Sequence, residues 1–414
     1  MPTQKILQRL AAFNRFVPAC LWFVVLSCCP VRDGQAAQRE VTAKAAVKVE
    51  YNDNISWVEE HREDNFVTTI SPELGGNILT ERTQVRAAAR LSWIRYRQRK
   101  ELDNYDARLD LSGSHSLDPR SSVDISASWQ RDTRIDSDFT ETGLLYDTRE
   151  RQLWNTAISL LRSHTELSSS RFGYRWQGGE YTTGEADEVR SHQLDYSFSR
   201  ALDERLTLRT FLTYGHHNYD TAKVDNLSGT LGGQWRIDEK WDLSCDLGVR
   251  WTRTQQDQST IICAGPLGPC YLFVETLDDS EWGGVLKTGL TRKMQDGSLS
   301  LNFSRDLQTA SGTGNSTERT GINLNFGRRF NRFWSGRLMA GYFINKTVND
   351  LSGSQRVDEQ SLSLGSALRY ELNPNLAFDL SYRYSRNDDD VDNSRVSRNL
   401  VFLQLLWSDS LFSL

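Results

Sequence analysis

Twelve cationic side chains in this chain fall in the polar register of segments whose every second residue is apolar. They are Arg86, Arg90, Arg108, Arg171, Arg175, Arg205, Arg209, Arg250, Lys287, Arg337, Arg369 and Arg383. Asp106, Asp110, Asp124, Asp195, Asp242, Asp246 and Asp379 share that register. Fixed guanidinium and ammonium groups along a water-filled passage favour anionic solutes. The same charges, paired across neighbouring strands, only stiffen a wall. Sequence alone leaves both readings open.

Other residue groups suggest chemistry more faintly. Asp388-Asp-Asp-Val-Asp-Asn393 gathers carboxylates that suit Ca²⁺, but it lacks the glycine and terminal glutamate of an EF-hand loop and reads as solvated surface charge. His216-His217 sits at a strand end, where a polar loop competes with a two-ligand metal site. No local pattern sets a base beside a nucleophile. No catalytic, cofactor or metal residue is therefore assigned, and the chain reads as a non-enzyme. A net charge of -5 gives no basis for nucleic-acid binding. Of six cysteines, Cys20, Cys28 and Cys29 lie near the N-terminus. Cys263 and Cys270 bracket the turn-rich Ala-Gly-Pro-Leu-Gly-Pro, and a disulfide is expected there in an oxidising compartment. Cys245 falls in an apolar register and reads as inert.

The elements that would position these groups are strands. Trp241, Leu243, Cys245, Leu247, Val249 and Trp251 alternate with Asp242, Ser244, Asp246, Gly248 and Arg250. A period of two sends the sets to opposite faces. An apolar set that begins and ends in tryptophan is the profile of a strand facing lipid between two aromatic girdles. The same alternation recurs in Phe172-Tyr174-Trp176, Leu194-Tyr196-Phe198, Leu299-Leu301-Phe303 and Phe378-Leu380-Tyr382-Tyr384. The expected fold is all-β: a transmembrane antiparallel up-and-down β-barrel of about 18 strands, within about 16 to 20. A mean hydropathy of -0.56 fits, because only alternate strand residues face lipid and loops are polar. The alternative is two sheets packed face to face.

Connections support the meander. Short turns at Ala201–Glu204, Ile237–Lys240, Met294–Gly297, Arg328–Asn331 and Leu372–Asn375 alternate with longer polar segments. Barrels of the Gram-negative outer membrane have short periplasmic turns and long outer loops. The longest expected loop, about 256–280, holds the apolar Tyr271-Leu-Phe-Val274. It reads either as an inward constriction, a surface for a partner, or a long hairpin.

Residues 1–36 read as a signal peptide, with Lys5, Arg9 and Arg15 ahead of an apolar run from Phe16 to Cys29. Val25-Leu-Ser-Cys28 also has the look of a lipoprotein box, which would acylate Cys28. The mature barrel is then 37–414. Its last expected strand alternates Val401, Leu403, Leu405 and Trp407, as barrel-assembly machinery requires of a terminal signal, with Ser408–Leu414 trailing and Phe412 as a second candidate end.

Near the mature N-terminus stand Val49-Glu-Tyr-Asn-Asp-Asn-Ile55, Asp64-Asn-Phe-Val67 and Ile70-Ser-Pro-Glu-Leu74. This opening resembles the β-barrel porin-2 family, in particular outer-membrane barrels encoded with exopolysaccharide synthesis and the PEP-CTERM/exosortase system. The resemblance implies a barrel serving envelope polysaccharide export and no catalytic residues. Tyr51, Asn52, Asp53 and Asn54 carry over as a family marker, which also reads simply as a strand end and Asx-rich turn. The combined expectation is an outer-membrane, porin-like channel or export component. Its partners are membrane lipid, the assembly machinery and an anionic solute or polysaccharide. A structural or adhesion barrel with an occluded lumen is the alternative.

Overall fold

The computed structural model describes residues 37–133, 150–181, 189–219, 222–263, 270–309, 316–347 and 357–413. The expected leader at 1–36, with Cys28, lies outside them. The chain begins with β1 (Gln38–Asn52), β2 (Asn65–Leu79), β3 (Thr83–Tyr96), β4 (Asn104–Asp118), β5 (Ser121–Asp132) and β6 (Arg151–Thr165). It continues through β7 (Ser168–Tyr181), β8 (Val189–Ala201), β9 (Leu206–Tyr219), β10 (Ala222–Arg236), β11 (Trp241–Cys263) and β12 (Cys270–Met294). Then come β13 (Gly297–Thr309), β14 (Ser316–Arg329), β15 (Trp334–Thr347), β16 (Asp358–Asn373), β17 (Leu376–Asp389) and β18 (Ser394–Ser413). Each pairs antiparallel with its sequence neighbour, and β1 pairs with β18, so the 18-stranded sheet closes on itself. The expected up-and-down barrel is observed.

Directly paired residues in an antiparallel ladder share a face. One such row runs Ile125, Ile158, Tyr174, Leu194, Tyr214, Leu227, Trp251 and Trp282 across β5 to β12. Every member of that row is apolar or aromatic, and it forms part of a belt of exposed apolar side chains around the outside. Trp241 and Trp251 mark its two edges on β11. Ten residues at strand rise, tilted as barrel strands are, put them about 25 Å apart along the membrane normal. Water-exposed apolar area of this extent has no place on a soluble protein; facing hydrocarbon it is at home.

Three turns on the rim that holds both termini share one device. Asp203 Oδ1 accepts the N–H groups of Arg205 (2.7 Å) and Leu206 (2.8 Å), Asp238 Oδ1 those of Lys240 (2.7 Å) and Trp241 (2.8 Å), and Asn331 Oδ1 those of Phe333 (2.8 Å) and Trp334 (2.9 Å). An Asx side chain thus satisfies the backbone where the ladder reverses. The two donors also hold the Asp203 carboxyl below the usual carboxylate range.

Of the readings open for 256–280 the long hairpin is observed, and one strand end is extended. The segment 256–280 is chiefly an extension of the β11–β12 hairpin, with paired backbone from Gln256↔Leu277 out to Cys263↔Cys270; only 264–269 lie outside the described residues. β-Branched and apolar residues on both arms (Thr260, Ile261, Ile262; Tyr271, Leu272, Phe273, Val274) favour this pairing over an irregular inward loop. The last strand runs past Trp407 to Ser413. A register shift opposite Val41/Thr42 accommodates Leu411 as an extra residue, so that Phe412 pairs with Val41 on the outer face.

Two measurements follow. The folded protein, extracted in detergent, is expected to migrate faster on a gel than the boiled sample; identical mobility would be incompatible with a closed barrel. Because the register places Cys263 opposite Cys270, non-reducing peptide mass spectrometry is expected to find the two linked, and alkylation of both without prior reduction would refute the bridge.

Candidate functional site

The second face of every strand is polar. Pairing carries it round the wall as it does the apolar belt: Asn77, Arg86, Ser112, Ser126, Ala157 and Arg175 form one row from β2 to β7. Buried polar side chains concentrate on this face, among them Glu50, Thr69, Asp246, Arg250, Thr252, Asn345, Glu359 and Asn387. Side chains on the concave side of a curved sheet converge, which accounts for their burial. This is the lumen.

Eleven of the twelve cations expected to line it stand in strands on this inner register; Arg205 lies in the turn before β9. Most are paired. Arg90 Nε is 2.7 Å from Glu73 Oε2, and Lys44 shares the same carboxylate at 3.1 Å. Arg108 chelates Asp110 at 2.7 and 3.0 Å. Arg171 reaches Ser159 Oγ at 2.7 Å and Asp124 at 3.7 Å. Lys287 meets Asp306 at 2.6 Å, and Arg369 grips Asp379 with two 2.7 Å bonds. Arg86 also has a partner.

Glycine makes two of these pairs possible. Arg209 donates to Asp246 at 2.8 and 2.7 Å across β10, over Gly232. A Cβ at Gly232 would lie 2.1 Å from the Asp246 carboxylate. Arg250, 1% exposed, lies over Gly283 of β12, where a Cβ would come within 2.7 Å of its guanidinium, and reaches Glu318 of β14 at 2.9 Å. Neither glycine has a left-handed φ; both serve close approach.

Arg175 on β7, Arg337 on β15 and Arg383 on β17 differ from the rest. None makes a hydrogen bond or ion pair to another described residue, and Arg175 and Arg337 are exposed. The sequence offered no means of separating these three from their paired neighbours, because the pairing depends on diagonal contacts between strands.

Among the described residues, a segment that packs inward is 53–64, between β1 and β2, which sequence reasoning did not select as a loop of note. Trp57, 7% exposed, stacks on the guanidinium of Arg398, an inner-face residue of β18, with 4.1 Å to the ring centroid. Ile55 is buried beside it. Asn54 is fully buried and holds the turn: its Nδ2 donates to Val58 O (2.7 Å) and Ser397 O (3.1 Å), and its Oδ1 accepts from Val58 N (3.1 Å). Asn52 Oδ1 accepts from Asn54 N at 3.0 Å, and Asp53 receives both the backbone and side-chain nitrogens of Asn399 at 2.7 Å. Tyr51 donates to Asp64 across the loop base at 3.4 Å. Trp57 and His61 both adopt positive φ, a conformation costly for such residues. The Tyr-Asn-Asp-Asn segment therefore ties an inward loop to the β1–β18 seam. The legible signal was the apolar Ile55-Ser-Trp57 amid an acidic stretch.

The remaining candidates are engaged locally. Asp388 pairs with Arg386 (2.7 Å) and Arg395 (3.0 Å), which hold its carboxyl below the usual range. Asp389 caps the N–H of Val391 (2.8 Å), and Asp390 accepts from Gln360 (3.2 Å). His216 bonds Asp225 at 2.8 Å on the outer face, beside Tyr214, whereas His217 is buried on the inner face. The two histidines thus point apart. Cys245 is a free thiol on the outer register.

No family model matches the chain, and no curated protein matches it either. Solved structures do resemble it. The Pseudomonas aeruginosa protein OccK2 (OpdF), crystallised with glucuronate, aligns over 90% of this chain and 98% of its own at 12% identity and TM-score 0.47. Pseudomonas aeruginosa OpdK with vanillate covers 89% and 98% at 11% identity and TM-score 0.46. The ferric-catecholate import receptor Fiu of E. coli K12 covers 92% and 82% at 9% identity and TM-score 0.49. The barrel assignment itself rests on the closed ladder of strands.

Asn54→Ala removes three side-chain hydrogen bonds at a fully buried position, at about 1 kcal/mol each. Loop docking is expected to weaken by about 2–4 kcal/mol, read as faster amide exchange over 53–64 with the strands still protected. Unchanged exchange in the loop would contradict the tethering role.

Proposed function

We propose that this protein is a porin-like channel of a Gram-negative outer membrane, passing small polar solutes with a preference for anions. The terminal rim then faces the periplasm and the opposite rim the outside. Support for the membrane comes from the apolar belt and its tryptophan edges. Support for the channel comes from the strand number, which gives a barrel wide enough for water. The observation that carries the anion preference is the set Arg175, Arg337 and Arg383. Among the described residues no carboxylate pairs with these inner-face cations, so they are open to a passing anion, whereas Arg209 and Arg369 are already neutralised by carboxylates. The resemblance of the N-terminal segment to barrels encoded with exopolysaccharide systems favours an anionic glycan or its fragments as the cargo, with assembly by the barrel-assembly machinery.

A second reading, a structural or adhesion barrel with an occluded lumen, has one observation in its favour: the 53–64 loop occupies the inner side of the far rim.

Planar-bilayer recording separates the two. Discrete conductance steps with a reversal potential displaced toward the anion potential are expected. The triple variant Arg175→Ala, Arg337→Ala, Arg383→Ala is expected to conduct while losing that displacement. Clear cation selectivity in the parent protein would overturn the proposal, and absence of conductance in both the parent and Asn54→Ala would favour the occluded barrel.

A further inference from the structure

The lipid-facing surface is not uniform. Between β14 and β18 it is cut by an apolar groove of about 400 Å³. Gly336 and Ser366 floor it, on the outer register of β15 and β16, and Phe326, Leu338, Leu368 and Leu380 wall it. These two small residues stand where neighbouring rows carry leucine and tyrosine. At its lower end Phe330, from the turn at 330–333, turns its ring onto Gly336, where a Cβ would lie 2.8 Å from the ring carbons.

Cations gather at this end. Arg328 pairs in register with Gly336 and so projects from the same outer face at the mouth of the groove. Arg329 follows it, and Arg332 stacks on Phe333 at 4.3 Å. Arg328 and Arg329 are exposed, and neither makes a side-chain hydrogen bond or ion pair to another described residue. In the preceding turn Asp296 contributes a backbone carbonyl to Arg329 N; its carboxylate makes no salt bridge to these arginines. An acyl-sized apolar trough thus opens onto a local excess of positive charge at the level of lipid headgroups.

We propose that this groove binds an anionic glycerophospholipid of the periplasmic leaflet, with an acyl chain over Gly336 and Ser366 and the phosphate against Arg328. An apolar chain fills the trough, which bare protein would leave as unpacked surface. A phosphate supplies the charge that the three arginines lack. A guanidinium at a membrane surface attracts anionic lipid by an amount corresponding to about fivefold in affinity. The proposal rests on the transmembrane reading and is independent of conductance.

The test is native mass spectrometry of the full mature chain, released from detergent after exchange into phosphatidylglycerol or phosphatidylethanolamine of identical acyl chains. Retention of one phosphatidylglycerol under conditions that strip phosphatidylethanolamine is expected. Arg328→Ala is expected to lower that retention about fivefold, and Ser366→Leu, which fills the groove, to abolish it. Arg162→Ala, at the same rim on β6, is expected to retain the lipid. Heat-shifted gel mobility confirms that each variant is folded. Equal retention of both lipids, or unaltered retention in Arg328→Ala, would overturn the proposal. So would a lipid-free dimer that Ser366→Leu dissociates, because a second copy of the chain would then be the occupant.

Discussion

A sheet edge cannot stand in hydrocarbon. Each unpaired N–H or C=O there costs several kcal/mol, and no water is present to satisfy it. The architecture of this chain follows from that constraint. Eighteen strands are paired in sequence order, and the two that would be edges, β1 and β18, are zipped together from Glu40↔Ser413 to Asn52↔Leu400. Sequence-adjacent pairing needs only tight turns, and Asp203, Asp238 and Asn331 supply their chemistry in the same way at three of them. The seam joins the most distant parts of the chain and pays the largest loop-closure entropy. Side-chain ties also cross it, from Asp53 to Asn399, Asn54 to Ser397 and Trp57 to Arg398.

Closure also sets the electrostatics. Curving the wall crowds the inner side chains, so charges brought there must either pair or face water. Arg209 and Asp246 meet over a glycine, and Arg250 crosses another to find Glu318. Removing one partner from such a pair would strand the other with much of its hydration already lost. The exposed pairs, such as Arg108 with Asp110, sit in wetter surroundings and contribute little to stability. Their larger effect is to cancel each other's field, leaving the lumen potential to inner-face groups that have no ion pair among the described residues, such as Arg175, Arg337 and Arg383 on one side of the balance, and Asp195, bonded only to Gln193 and Thr213, on the other.

The fold was legible because alternation is local. Trp241 through Trp251 declares its two faces without reference to any other strand, and most short turns announce themselves by Asx or glycine, although Thr80-Glu-Arg82 and Glu166-Leu167 do not. The strand ends were less so. β18 continues past Trp407 because β1 continues beside it, a fact of partnership that Ser408-Asp-Ser cannot advertise. The site was legible in kind but not in detail. Inner-face arginines could be named from parity, yet Arg383 and Arg369 look alike in sequence; only Asp379, one strand over, distinguishes them. The sequence left 256–280 open, with the observed hairpin among its readings, because length and apolar content suit both an inserted loop and an extended ladder. The 53–64 loop was overlooked because its tie to the wall is made by Asn54 to a residue more than three hundred positions away.

The positions of Arg175, Arg337 and Arg383, which have no ion pair among the described residues, limit the kind of selectivity the lumen has. In a ring of eighteen strands, β7 and β16 are nine apart and face each other across the lumen. Arg175 therefore projects from one wall, and Arg337 and Arg383, on the strands flanking β16, from the opposite one. They make two facing basic patches rather than a closed cationic collar. A solute passing between them remains largely hydrated and feels each patch through water and salt, where interactions fade beyond about 10 Å. Small ions in the middle of the passage are discriminated weakly. An elongated polyanion, able to touch both walls at once or to follow one of them, gathers more than one contact and is favoured out of proportion to its charge density. Paired charges elsewhere keep the wall from holding such a chain too tightly, which passage requires as much as entry does.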